Sequence, residues 1–386
     1  MPQEPLALAL ELSRRLDTLL RAEAQGRGGR LPFDRFMEAV LYAPGLGYYA
    51  AGCAKLGAEG DFTTAPELSP LFGRCLAAQC REVLSALPGG DILEFGAGSG
   101  ALAGEILAAL HRNGPLPGRY LILEPSPDLR ARQVERMGTL ATGPGGLVQW
   151  IDRLPQGFRG VVLANEVLDA MPVHRFQIGP DGEPLEVCAV PTPDGWEDRT
   201  AEPESPGLAP AVRRLQGMGL ARAPGFGSEL NLRLGPWLAA LGEVLAAGLV
   251  LLIDYGYPAA EYYSAGRGAG TLLCHTRHHA HPDPYRDMGL QDITAHVDFS
   301  AVAHHAQAAG LDLSGYTTQA LFLIGCGLDR ELAAADPGEA MALTLGARQL
   351  LLPSAMGERF QVMALSRGLD GPWCGFSSRD LRGRLG

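Results

Sequence analysis

The spacing of apolar positions changes several times along the 386 residues, and each change predicts a change of element. Between residues 5 and 24, Leu6, Leu10, Leu16, Leu19 and Leu20 recur at helical spacing, and "GRGGR" at 26–30 ends that helix. "LPFDRFMEAVLY" (31–42) predicts a second helix. "APGLGYYA" (43–50) predicts a turn whose Tyr48 and Tyr49 pack on the core or line a wall for a substrate peptide. "LSPLFGRCLAAQCREVLSAL" (68–87) predicts a long helix. Beyond it, unalternated apolar runs ("DILEF", "RYLILE", "LVQWI", "GVVLAN", "LVLLIDYG") read as strands, with "GALAGEILAALHRN", "PDLRARQVERM" and "PWLAALGEVLAAG" as helices among them. Runs of that kind fill a parallel sheet covered on both faces.

After Pro172 the period drops to two. "VHRFQI" and "LEVCAV" flank "GPDGEP" and predict a hairpin. Residues 191–207, rich in Pro, Gly and Glu, predict a surface excursion. Residues 256–297, dense in Gly, His, Pro and Asp, form a loop too long to be inert. Helix "FSAVAHHAQAAG", strand "TQALFLIG", a helical tail and a closing antiparallel strand "RFQVMALSRG" complete the chain. The pattern predicts an α/β protein with one doubly wound core over 88–386. A helical cap and lead-in helix (1–87) precede it, and insertions fall at about 173–234 and 256–297.

Composition narrows the function classes. Apolar residues make up 46% of the chain, enough for a sizeable core. The net charge of −11 excludes phosphate-backbone binding as the main task and suits a cationic, arginine-bearing protein substrate. No nucleic acid is expected as a partner. The seven cysteines are scattered without a C-x-x-C pair, so neither a disulfide framework nor a thiolate zinc site is expected, and a reducing cytoplasm is the default. No apolar run approaches a membrane span, "LVLLI" at 249–253 being the longest. The amphipathic, arginine-bearing N-terminus has the acids Glu4, Glu11, Asp17 and Glu23 that presequences avoid, so it reads as a structural helix.

"ILEFGAGSGALAGEIL" (92–107) carries the chemistry. A strand runs into Gly96, Gly98 and Gly100, and a helix follows, a turn that brings backbone N–H groups to a ligand. The letters satisfy both the dinucleotide fingerprint and the turn that holds S-adenosylmethionine. Glu94 before the turn favours a sulfonium cation over a pyrophosphate; Glu124, at the end of the next strand, can accept ribose hydroxyls in either case. The fourth strand separates the two. It ends in "LANEVLDAMPVHRF", placing Asn165, Glu166 and Asp169 at the carboxyl edge of the sheet. Hydride transfer needs a proton donor beside a substrate anchor. Methyl transfer needs a nucleophile held in line, where positioning and charge dominate.

At these residues the chain resembles the MidA-like class I methyltransferases. The resemblance runs through "PFDRFMEAVLYAPGLGYYA", "GDFTTAPELSPLFG", "ILEFGAGSG", "YLILEPS", "LANEVLDAMPVHRF", "GSELNL", "LLIDYG" and "GTLLCHTRHHAHPDPYRDMGLQDITAHVDF". It implies a Rossmann-like core of seven mostly parallel strands in the order 3-2-1-4-5-7-6, with S-adenosyl-L-methionine as cofactor. For the eukaryotic branch it implies dimethylation of an arginine in a respiratory complex I subunit. By residue, the resemblance implies cofactor contacts from Glu94, Gly96, Gly98, Gly100 and Glu124, and from the loop Thr63, Thr64, Pro66 and Glu67. Gln149 and Trp150 at the third strand's end flank the adenine, and Asn165 and Glu166 face the methyl donor.

A guanidinium titrates above pH 12 and is a poor nucleophile while protonated, so carboxylates must grip it and aim one nitrogen. Glu166 and Asp169, spaced i and i+3, would point to one side of a helical turn. Glu166 is the expected clamp, with cofactor contact alone as its alternative, and helix capping is the alternative for Asp169. Asp254, ending "LLIDYG", faces the same crevice or holds a turn. Glu229 and Asn231 line the groove or belong to a surface strand. His296 or Asp298 shapes the substrate mouth or accepts the outgoing proton. His275, His278, His279 and His281 lack thiolate partners, so no metal is expected. Three readings stay open: a protein arginine methyltransferase, a homodimer among its expected states; a small-molecule or amino-group N-methyltransferase; and a non-catalytic assembly module that binds the cofactor.

Overall fold

"DILEF", "YLIL", "VQWI" and "FRGVVLAN" are too apolar to face water on either side, and they become the buried centre of the larger sheet. The computed structural model describes residues 3–50, 64–138, 146–276 and 279–386. The chain divides into two compact units, one formed by residues 63–168, 235–258 and 297–386, the other by 1–62, 169–234 and 259–296.

The first unit is the doubly wound core. Its strands are β1 (Asp91–Phe95), β2 (Tyr120–Leu123), β3 (Val148–Ile151), β4 (Phe158–Asn165), β5 (Leu245–Tyr257), β6 (Asp312–Thr318) and β7 (Phe360–Arg367). They lie side by side as β3-β2-β1-β4-β5-β7-β6. All neighbours from β3 to β5 are parallel, and β7 runs antiparallel to both β5 and β6. An eighth short strand, Val297–Asp298, pairs with the end of β5. Val161, Leu249, Leu251 and Val362 are wholly buried at the centre, each such side chain stabilising by roughly 1.5–3 kcal/mol.

Helix Pro70–Ala86, the lead-in helix of the sequence reading, belongs to this unit. Leu71, Phe72, Cys75, Leu76, Cys80 and Val83 point from it into the same apolar cluster as Leu102, Ile106 and Leu110 of helix Ala101–Asn113. Ser69 starts the first of these helices, its hydroxyl accepting from Leu71 N at 3.3 Å. One expectation is corrected: "TQALFLIG" is a helix (Gln319–Gly325) and not a strand. Thr318 caps it by accepting from Leu321 N, and the strand lies just before, in the more polar "DLSGYTT".

The second unit joins the N-terminal helices to both insertions. Helix Gln3–Gly26 and helix Phe33–Tyr42 share an apolar cluster with Val173, Ala189, Trp196, Cys274 and Ile293. The hairpin His174–Ile178 and Pro184–Thr192 forms around Gly179–Glu183, and Leu31–Pro32 and Gly227–Leu230 extend its sheet. Residues 195–201, within the stretch read as a surface excursion, are a further, mostly exposed strand paired with Pro184–Thr192. The sheet's ladder satisfies backbone groups that polar side chains would have left to water. The His-rich insertion folds into three short strands, Leu273–Thr276, His279–His281 and Asp292–Thr294. Tyr48 is buried. Tyr49 stacks on Tyr42 and donates to Asp292 at 3.0 Å.

Candidate active site

The glycine turn lies at the carboxyl end of β1, where ligands of open α/β sheets bind. Gly96, Gly98 and Gly100 have φ of 57°, 54° and 81°, a region that side chains with a Cβ rarely adopt. Gly96 is exposed, and among the described residues a Cβ placed on it would meet Val167 Cγ2 alone, at 3.9 Å. Glu67, from the short helix Ala65–Leu68, accepts from the Ser99 hydroxyl, and Arg136 donates to the same hydroxyl at 2.6 Å. Thr64 is the N-cap of that helix and Pro66 lies in its first turn; Thr63 lies outside the described residues.

Two buried carboxylates stand behind the turn. Glu94 accepts from the Tyr120 hydroxyl at 2.7 Å. Burial pushes its carboxyl up to about 7 against the pull of that hydrogen bond, and the neighbouring Glu124 pushes it the same way. Glu124 accepts from Ser126 N at 2.9 Å and from Gln133 Nε2 at 3.0 Å. Gln133 was not among the residues singled out in the sequence, yet it ties the site together. The same Nε2 donates to Gly98 O at 2.9 Å, and its Oε1 accepts from Trp150 Nε1 at 2.8 Å. One amide thus joins the turn, the acid of β2 and the indole of β3. Its signal was its phase: Gln133 falls between Leu129 and Met137 on the buried stripe of helix Pro127–Met137. Gln149 is exposed on β3.

At the end of β4 the structure departs from expectation. Residues 166–173 are bends and turns, so no helical turn aligns Glu166 with Asp169, and Asp169 caps no helix. Glu166 instead sits at φ 53°, a conformation costly for a residue with a Cβ. Its N–H continues the β4–β5 ladder to Ile253 O at 2.9 Å. Asp254, buried at the end of β5, accepts from Leu168 N and from Tyr255 N, each at 3.0 Å. Its carboxylate thereby ties β5 to this bend. Asn165 Nδ2 donates to Glu166 Oε1 at 3.3 Å, whereas Asn165 Oδ1 is buried without a hydrogen-bond partner. A buried acceptor with no partner among the described residues, at the sheet's carboxyl edge beside the glycine turn, fits a nucleoside-type cofactor carrying N–H donors.

Asp169 and His296 belong to the second unit. Ala295 N donates to Asp169 O at 3.0 Å, so the two segments are neighbours there, and His296 N donates to Thr271 Oγ1 at 3.1 Å. Glu229 is buried, accepting from Thr271 N at 2.9 Å and from Leu272 N. Asn231 Oδ1 accepts from Arg233 N. Asp298 caps helix Phe299–Ala308 through Ser300 N and Ala301 N. Among the described residues no group of three His, Cys, Asp or Glu is placed to hold a metal, and no helix is long and apolar enough to cross a membrane.

A family model described as an S-adenosyl-L-methionine-dependent methyltransferase matches residues 75–317. The chain is 30% identical over 380 residues to a Drosophila melanogaster protein named protein arginine methyltransferase NDUFAF7 homolog, mitochondrial, covering 88% of this chain and 82% of that one. It is 27% identical to the human protein arginine methyltransferase NDUFAF7, covering 87% and 80%. A Burkholderia thailandensis protein crystallised with S-adenosyl-homocysteine is 40% identical, covers 99% of each chain and superposes with a TM-score of 0.92. The cytoplasmic location drawn from cysteine usage is corrected by these comparisons, because the curated relatives are named as mitochondrial proteins.

Proposed function

The chain belongs to the S-adenosyl-L-methionine-dependent methyltransferase family, and from that premise we propose that it methylates an arginine side chain of a protein partner. It is a methyltransferase, and S-adenosyl-L-methionine is its cofactor. When bound, that cofactor supplies a methyl group activated by a sulfonium. The residues that would hold it are Glu94, Gly96, Gly98, Gly100, Glu124, Gln133, Trp150 and Asn165, with Glu67 from the loop before the turn.

The observation that carries the reading is the strained Glu166, held at the sheet's carboxyl edge with its carboxylate beside Asn165. A carboxylate there takes two N–H groups of a guanidinium fork, localises its charge and aims the third nitrogen. The relatives named arginine methyltransferases support the same substrate class, and a complex I subunit or related assembly protein is the partner we propose. The test is incubation of the purified chain and radiolabelled methyl donor with a lysate cleared of endogenous donors. Label recovered as methylarginine in protein supports the proposal. Label found solely in small molecules would support amino-group methylation of a small amine instead. No transfer to either fraction would sink both.

A further inference from the structure

Six cysteines lie among the described residues, and all are free thiols. Cys374 alone of these is not fully buried. Its thiol donates to Gln79 Oε1 at 3.6 Å and lies 3.8 Å from Cys326 Sγ. The backbones carrying the two thiols also meet closely. A Cβ on Gly325 would strike the Cys374 carbonyl oxygen, and a Cβ on Gly375 would strike the ring of Phe322. Close backbones and facing thiols are the geometry a disulfide requires. The surroundings fix the approach: Gly375 N donates to Gln79 Oε1 at 3.1 Å and Cys374 N to Glu82 Oε2 at 2.9 Å, anchoring the Cys374–Phe376 turn to helix Pro70–Ala86.

We propose that Cys326 and Cys374 are a reversible oxidation site, converted to a disulfide by a small-molecule disulfide of the glutathione class. The half-buried Cys374 reacts first. Its thiolate attacks one sulfur of the small disulfide, breaking that S–S bond and expelling one small thiolate. The resulting mixed disulfide lies within reach of Cys326, whose sulfur attacks Cys374 Sγ and expels the second small thiolate. The two protein thiols lose two protons and two electrons, and the small disulfide takes up both to leave as two thiols. Burial, with the Cys374 sulfur beside it, holds the Cys326 thiol well above the usual range, consistent with its acting second. The product staples helix Gln319–Gly325 to the Cys374–Phe376 turn.

The experiment treats the reduced, full-length chain with oxidised glutathione and maps its peptides without reduction. The expected product is a cross-linked Cys326–Cys374 peptide, reversed by dithiothreitol. With Cys326→Ala the reaction should stop at a lasting glutathione adduct on Cys374, and with Cys374→Ala Cys326 should stay unmodified. The wild-type map decides by itself should a variant fail to fold. A persistent adduct on wild-type Cys374, or two unmodified thiols, would overturn the proposal.

Discussion

Glu94 shows how far a single residue can be read. Its folded-state value near 7 lies above the ordinary 4.5, so the folded protein keeps a proton that the unfolded chain gives up. The stability this group contributes is therefore complete below pH 4.5 and lost as the pH rises through about 7, a loss of about 3 kcal/mol at ~1.4 kcal/mol per pH unit. Glu94→Gln keeps an acceptor for Tyr120 and removes the charge. In urea unfolding of the cofactor-free chain, the variant should gain on the wild type between pH 5 and pH 8; parallel pH profiles would contradict the buried carboxyl. Gln133 acts at the same scale. Gln133→Ala removes its hydrogen bonds to Gly98 O, the Trp150 indole N–H and one oxygen of Glu124, each worth about 1 kcal/mol. Calorimetry should find S-adenosyl-homocysteine affinity reduced roughly tenfold or more, and an unchanged affinity would remove Gln133 from the site.

The bend that leaves β4 is where an element, and not a residue, is the working part. Asp254 on β5 holds it through Leu168 N, and the ladder bond from Glu166 N to Ile253 O fixes its start. A left-handed residue with a side chain costs about 1–3 kcal/mol and persists where its surroundings demand it. Glu166→Gly should therefore stabilise the chain by about 1 kcal/mol in urea melts while cutting methyl transfer roughly a hundredfold. A variant both less stable and fully active would contradict the assignment. The parallel strands were legible because strands buried on both faces need continuous apolar runs. This bend was not, since i, i+3 spacing looks helical whether or not a helix forms. The helix Gln319–Gly325 was misread for a related reason: eight apolar-rich residues suit a strand or a helix, and the capping Thr318 decides. The true strand, β6, is at the sheet's edge and half polar, so it carries no apolar run to find. Polar site residues such as Gln133 are hidden for the opposite reason, their letters resembling any exposed helix face until the buried stripe is traced.

At the scale of the whole molecule, the net charge of −11 and the cofactor site make separate demands. An acidic chain attracts a cationic protein at long range, and salt screens that attraction over about 8 Å at physiological ionic strength. The apparent KM for an arginine-bearing protein should rise with added salt, while S-adenosyl-homocysteine affinity stays nearly constant; a salt-independent KM would remove charge from substrate recognition. All of this presupposes that the glycine turn takes the methyl donor. Titration of the purified chain with S-adenosyl-homocysteine in a calorimeter tests that most directly. One saturable site, abolished by Gly98→Val and absent with NADH, is the predicted result. Saturable binding of NADH with no heat from S-adenosyl-homocysteine would contradict it.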